Sequence, residues 1–233
     1  KNRSRCRFLR VPSKPEKMKA GTLSFGLVLA VSALAVSAMY DPSIEVRDLR
    51  AELFPNASDF KFDLAGAPAS DNGVGAKIQG GSQSRFPALN GLGVSYTLFT
   101  IDPCGMNLPH VHPRATEIIY IMKGYGLTVG FSEENGGRVL VNRKLKKGWT
   151  AVFPQGLPHW QINTSCKPVH FISALSHASP GVVTLPDRLL STSIPDYVLS
   201  VVFNVPRYKV QGLRDSLSSR DLEAECKKRC GIE

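Results

Sequence analysis

Gly105-Met-Asn-Leu-Pro-His110-Val-His112-Pro-Arg-Ala-Thr-Glu117 and Gly148-Trp-Thr-Ala-Val-Phe-Pro154-Gln-Gly156-Leu-Pro-His159-Trp-Gln-Ile-Asn163 are the stretches that decide how this chain folds. Side chains alternate faces along a strand, so His110 and His112 project from the same face. Pro113 has no N–H for a ladder, and a bend is expected there before a second strand opens near Glu117. Pro154 and Pro158 frame a turn that delivers His159 onto a further strand, where His159, Gln161 and Asn163 share one face. Alone, a His-X-His pair is more often two polar residues on a solvated strand. The second block, with its own histidine, changes that reading.

His110, His112, Glu117 and His159 together are three imidazoles and one carboxylate, a mixed N/O donor set. It suits Mn or Fe and also accepts Zn or Cu. Four protein ligands leave two octahedral positions for water, substrate or dioxygen, as a catalytic metal requires. Imidazoles ligate only when neutral, so metal should be lost as pH falls through the histidine range. Ile119, Ile121, Val152 and Phe153 are the expected wall of the site.

Outward from these blocks the pattern is β-rich. Short runs at Val94–Ile101, Glu117–Met122, Leu127–Phe131, Val139–Leu145, Thr150–Phe153, His159–Asn163 and Val169–Leu175 are bounded by Gly, Pro and Asn. That is the signature of an antiparallel sandwich or barrel, and the fold class expected is all-β. Residues 39–93 are rich in Gly, Ser, Ala and Pro, with turn signals at Gly80-Gly81 and Asn90-Gly91 and an edge-strand candidate at Phe60-Lys-Phe-Asp-Leu. They are expected to form an arm wrapping the barrel. Beyond residue 190 the spacing becomes helical. Pro195-Asp-Tyr-Val-Leu-Ser-Val-Val-Phe precedes Pro206, and Val210–Cys230 reads as one or two helices with Ser216, Ser218 or Ser219 as caps. The expected division is 1–38 leader, 39–93 arm, 94–190 barrel and 191–233 helical tail.

The chain has 233 residues, 42% hydrophobic and 21% charged, which is room for one domain with a sizeable core. Its net charge of +10 is concentrated at the start. Removing residues 1–38 leaves 21 basic and 18 acidic side chains, a balance of +3. Without a basic stripe interleaved with aromatics, nucleic-acid binding is not expected. The basic head precedes an apolar stretch, Ala20–Ala38, that ends in small residues at Val36 and Ala38. This reads as a signal peptide starting at Met18-Lys19, with residues 1–17 lying upstream of that start. Cleavage after Ala38 would leave a secreted protein with no membrane span; an uncleaved anchor is the competing reading.

Secretion fits the cysteines. Apart from Cys6 in the leader there are Cys104, Cys166, Cys226 and Cys230, an even number for which three pairings exist. Cys226 and Cys230 lie one helical turn apart and are expected to serve as a disulfide end-staple. Asn56-Ala-Ser and Asn163-Thr-Ser are glycan acceptors. Asn163 shares strand parity with His159 and should face inward, so glycan is expected at Asn56 and little or none at Asn163.

Gly105-X4-His-X-His-X4-Glu-X6-Gly124, followed by Gly148-X5-Pro-X-Gly-X2-His-X3-Asn, resembles the paired motifs of the cupin superfamily. His-Val-His-Pro-Arg-Ala-Thr-Glu-Ile looks specifically like germin-like proteins and spherulins. The resemblance covers roughly residues 85–205. It implies a single cupin jelly-roll β-barrel with a C-terminal helical tail, manganese on His110, His112, Glu117 and His159, and homo-oligomers, dimers or hexamers, assembled through the tails. It also implies superoxide dismutase or oxalate oxidase activity on a small-molecule substrate such as superoxide or a dicarboxylate, or a nutrient-reservoir role. Asn107 matches an asparagine that contacts substrate in the oxalate-oxidising members. A second such asparagine falls at Thr97, and the cysteine pair near the mature N-terminus of plant germins has no counterpart between Ala38 and Ile101. Superoxide dismutation survives these departures better than oxalate oxidation. A non-catalytic storage, wall-associated or ligand-binding protein stands as the alternative.

The other candidates have ordinary readings. His170 and His177 lack motif spacing, Trp149 and Trp160 suit barrel packing, and Lys144, Lys146 and Lys147 suit a solvated strand edge that discourages aggregation.

Overall fold

The longest strand, β2 (Ser95–Val111), organises the rest. Its first half pairs with β8 (Val169–Leu175), from Ser95 opposite Leu175 to Ile101 opposite Val169. Its second half pairs with β7 (His159–Asn163), where His110 lies opposite His159. One strand serves two neighbours because the chain bends between Ile101 and Met106, where Cys104 sits at φ +63°. Gly105 allows the bend, since a Cβ there would collide with the Gly75 carbonyl.

A computed structural model describes residues 46–70, 73–191, 193–217 and 219–232. The expected leader, the expected cleavage point after Ala38 and Cys6 lie outside these residues. Residues 1–53 and 54–233 are separate units. The described part of the first includes a short helix, α1 (Val46–Leu53). The second holds an all-antiparallel sheet in the order β5-β4-β7-β2-β8-β3-β6, with β1 and β9 also paired to β2. The remaining strands are β1 (Gly73–Gly81), β3 (Glu117–Lys123), β4 (Tyr125–Ser132), β5 (Val139–Lys146), β6 (Thr150–Phe153) and β9 (Val183–Thr184). This is the expected all-β jelly-roll barrel.

Alternation along the strands makes the interior. Ile119 and Ile121 of β3, Leu127 and Val129 of β4, Phe153 of β6 and Phe171 of β8 are all buried in one cluster. Each contributes about 1.5–3 kcal/mol by leaving water. Phe99 stacks on Phe171 at 4.4 Å between ring centroids. Lys144 and Lys146 lie exposed on β5, which ends the sheet, and Lys147 follows it, so the basic run does line an edge.

Two local expectations give way. Phe60-Lys-Phe-Asp-Leu is not a strand: Ala57–Phe60 is a 3₁₀ turn and residues 61–63 are irregular. Its aromatics pack locally instead, Phe60 on Phe54 and Phe62 stacked on Phe86. Gly80-Gly81 is not a turn but the end of β1, opposite Thr97 and Tyr96. Asn90-Gly91 does turn the chain, with Gly91 at φ +75°.

The tail is helical as expected, in short pieces: α2 (Leu185–Leu190), α3 (Asp196–Val202), α4 (Val210–Asp215) and α5 (Ala224–Cys230). Arg214 joins them by donating to the Leu190 and Ile194 carbonyls and pairing with Asp196 at 3.0 Å. The N-cap of α5 is Glu223, whose carboxylate accepts from Glu225 N and Cys226 N, and Ser216, one of the serines expected as caps, is the C-cap of α4. Cys226 and Cys230 do act as disulfide staples for the tail, each to the barrel rather than to the other. Cys104 bonds Cys226 and Cys166 bonds Cys230. Residues four apart on a helix hold their Cβ atoms about 5–6 Å apart, too far for a disulfide, so both point together at the barrel.

Candidate metal centre

Four elements bring the cluster together. His110 comes from the end of β2, His112 from the turn after it, Glu117 opens β3 and His159 opens β7. The cross-strand pairing of His110 with His159 sets their rings 4.2 Å apart. The two motif turns clasp each other: Gly156 N donates to His112 O at 3.1 Å, and Gln155 Nε2 to Pro113 O at 2.9 Å. All four sequence-predicted residues meet, with one ligand atom from each within 4.8 Å of the others.

Glu117 Oε2 lies 3.0 Å from His159 Nε2, 3.2 Å from His112 Nε2 and 4.0 Å from His110 Nε2. The far side of each ring fixes its tautomer. Nδ1 of His110 meets Leu108 O at 2.7 Å, that of His112 meets Gly181 O at 2.5 Å, and that of His159 meets Leu157 O at 2.8 Å. A carbonyl only accepts, so each Nδ1 carries the hydrogen and donates it. Every neutral ring therefore turns an Nε2 lone pair inward, toward a carboxylate that is itself only an acceptor. Glu117 Oε1 is buried with no partner. Converging acceptors repel unless a proton or cation lies among them, and three nitrogens plus a carboxylate suit a divalent ion. The residues fit a metal.

A proton on an Nε2 relieves the same repulsion, and the electrostatics describe that competing state. Burial, reinforced by His159, pushes the His110 imidazole down to about 3. Burial opposes charge on His112 too, but the Glu117 hydrogen bond and charge outweigh it and hold its pKa above the usual value. Glu117 lies well below the carboxylate range: burial opposes its charge, and hydrogen bonds from His112 and His159 overcome that.

The expected wall is partly right. Ile119, Ile121 and Phe153 are buried, and Phe153 stacks on His159 at 4.8 Å. Val152 is 52% exposed, because neighbouring strand residues cannot both face inward. Trp149 is likewise 52% exposed rather than packed in the barrel, and Trp160 is half-buried. His170 bonds Thr100, and His177 accepts from Ser179 N; neither reaches the cluster. Asn107 donates to Gln161 Oε1 at 2.7 Å. It lines a cavity of about 330 Å³ together with His110, His112 and Thr97.

Sequence reading missed the loop after β8. Gly181 supplies the carbonyl that orients His112, and Arg114 anchors the same loop by donating to Ser179 O at 2.7 Å. The Pro180-Gly181 dipeptide was the available turn signal.

A jelly-roll barrel with an imidazole–carboxylate cluster at one end of its longest strand is the class that fold and site define. The family model described as Cupin matches residues 62–211. Spherulin-1A of Physarum polycephalum is 37% identical over 177 residues, 75% of this chain and 69% of the relative. A germin-like protein, subfamily 2 member 4, of Arabidopsis thaliana is 36% identical over 168 residues, covering 70% and 75%. Among solved structures, recombinant oxalate oxidase in complex with glycolate is 29% identical with a TM-score of 0.64, covering 72% of this chain and 85% of that one. The chain belongs to the cupin family and is of its germin-like and spherulin kind.

Proposed function

We propose that this chain is a secreted manganese-binding oxidoreductase that dismutates superoxide, with His110, His112, Glu117 and His159 holding one ion per chain. The observation that carries the reading is the ring of inward Nε2 lone pairs around Glu117, open to a cavity on one side. A manganese ion held there would supply one-electron redox chemistry. The chain's own part is to hold the donors in place. Three backbone carbonyls lock the imidazole tautomers, and Phe153 shields His159 from water.

Asn107 is the substrate-contacting residue in this reading. One amide hydrogen goes to Gln161, and the other can steady an anion at the cavity wall. Oxalate is the second candidate substrate, supported by the likeness to oxalate oxidase. The net reaction for superoxide takes two superoxide anions and two protons to dioxygen and hydrogen peroxide. The test is a superoxide assay, with an oxalate assay beside it, on protein of measured metal content. Dismutation that follows manganese and vanishes in Glu117→Ala supports the proposal; manganese-loaded protein inert to both substrates contradicts it.

Secretion is supported by two disulfides, which persist in oxidising compartments. In this reading residues 1–38 are a leader removed after Ala38, and the 39–93 arm contributes β1 to the sheet. Asn56 is exposed and carries glycan, whereas Asn163 does not. Assembly into homo-oligomers is supported by exposed apolar side chains: Ile118, Tyr120 and Val152 on the outer β3–β6 face, and Tyr197, Val201 and Tyr208 on the tail.

A further inference from the structure

We propose that the cavity beside the histidine cluster binds a polyhydroxylated carboxylate of sugar-acid size, its carboxylate on Arg85 and its opposite end at the cluster. The inference rests on the reading of that cluster as a metal site and adds a second class of ligand besides superoxide and oxalate.

Size is the first argument. A water takes about 30 Å³ of liquid, so about 330 Å³ accommodates about eleven water-sized groups. A two-carbon dicarboxylate fills about half of that space. Lining is the second. Beyond His110, His112 and Asn107, the polar wall is hydroxyl: Ser70, Ser82, Ser84, Thr97, Ser173 and Ser179. Ser70 Oγ is buried and has no partner among the described residues. Hydroxyls both donate and accept, which matches the hydroxyl groups of a polyol chain.

Charge is the third argument. Arg85 is the cavity's one residue of fixed positive charge, and no carboxylate among the described residues pairs with it. Its Nη1 donates to Pro68 O at 2.8 Å and Gly80 O at 3.4 Å. Nε and Nη2, the edge that grips a carboxylate with two parallel hydrogen bonds, have no partner among the described residues. The residue is placed by its turn: Arg85 N and Phe86 N both donate to Ser82 O, and Gln83 N donates to Ala178 O beyond β8. A single guanidinium matches a monoanionic carboxylate better than a doubly charged phosphate.

The test is calorimetric titration of D-gluconate, D-sorbitol and oxalate into wild type, Arg85→Gln and Arg85→Lys, each with and without Mn(II). Gluconate should bind manganese-loaded wild type at least about tenfold more tightly than sorbitol, which has the same carbon chain without the carboxylate. Arg85→Gln should remove that advantage at unchanged manganese content and melting temperature, and Arg85→Lys should keep part of it. Equal gluconate affinity in wild type and Arg85→Gln, sorbitol binding as well as gluconate, or no gluconate binding to wild type would each overturn the proposal. A protein that takes up no manganese contradicts the metal reading alone. The Arg85 dependence is still read in the metal-free arm.

Discussion

Gly181→Ala should weaken metal binding without any change to a ligand. Gly181 sits at φ +70°, where an L residue costs about 1–2 kcal/mol. A Cβ there would lie 2.9 Å from Arg114 Nη2 and 3.2 Å from Pro113 Cδ, so the loop must shift or Arg114 must yield. The Gly181 carbonyl holds His112 Nδ1, and a shift of a few tenths of an ångström turns the ring away from Glu117. Loss of such an orienting hydrogen bond lowers metal affinity by about 10–100-fold. Backbone strain should also lower the melting temperature by about 2–8 °C. Gly91→Ala is the control: φ is +75° there, but nothing lies within 4 Å of the added Cβ. It should reproduce the thermal loss and leave affinity unchanged. Chelator competition and thermal melts of both variants decide the matter. Gly181→Ala with wild-type affinity would refute the claim that this carbonyl sets the His112 donor.

Metal affinity should fall as pH drops from about 7.5 to 5.5, by up to about tenfold per unit for each proton displaced. The sign follows from His112, whose raised pKa lets a proton occupy Nε2 beside Glu117 earlier than on an ordinary imidazole; pH-independent affinity over that range would contradict it. Replacing Cys104 and Cys226 together by serine should cost about 2–5 kcal/mol in denaturant unfolding, since that bridge closes a separation of 122 residues. Glycopeptide mapping should find glycan on Asn56 and none on Asn163. The Asn163 amide is buried and donates to Ile101 O, Asp102 O and Lys167 O, so occupancy there would mean the strand faces outward.

The barrel was legible wherever strands carry alternating apolar residues between Gly and Pro punctuation. All seven runs read that way are strands, and in β3, β7 and β8 the period-two burial is written directly in the residue types. Strand β1 was not, since Gly-Val-Gly-Ala-Lys-Ile-Gln-Gly-Gly has weak β propensity and owes its conformation to pairing with β2. The half of β2 beyond Ile101 was hidden by Asp102, Pro103 and Gly105, which signal a break but here mark a bend inside one strand. Convergence of the cluster was readable because strand parity and proline turns fix where His110, His112, Glu117 and His159 point. The carbonyl of Gly181, the turn that presents Arg85 and the pairing of Cys104 with Cys226 were not. Each depends on contacts between segments far apart in the chain, which local pattern does not encode.

Metal content of purified protein tests the central claim most directly. Elemental analysis should find close to one manganese or other divalent transition metal per chain in the wild type. It should find none in His110→Ala/His112→Ala that retains the wild-type circular dichroism spectrum. A folded double mutant with stoichiometric metal, or a wild type that stays empty after incubation with Mn(II), would contradict the account.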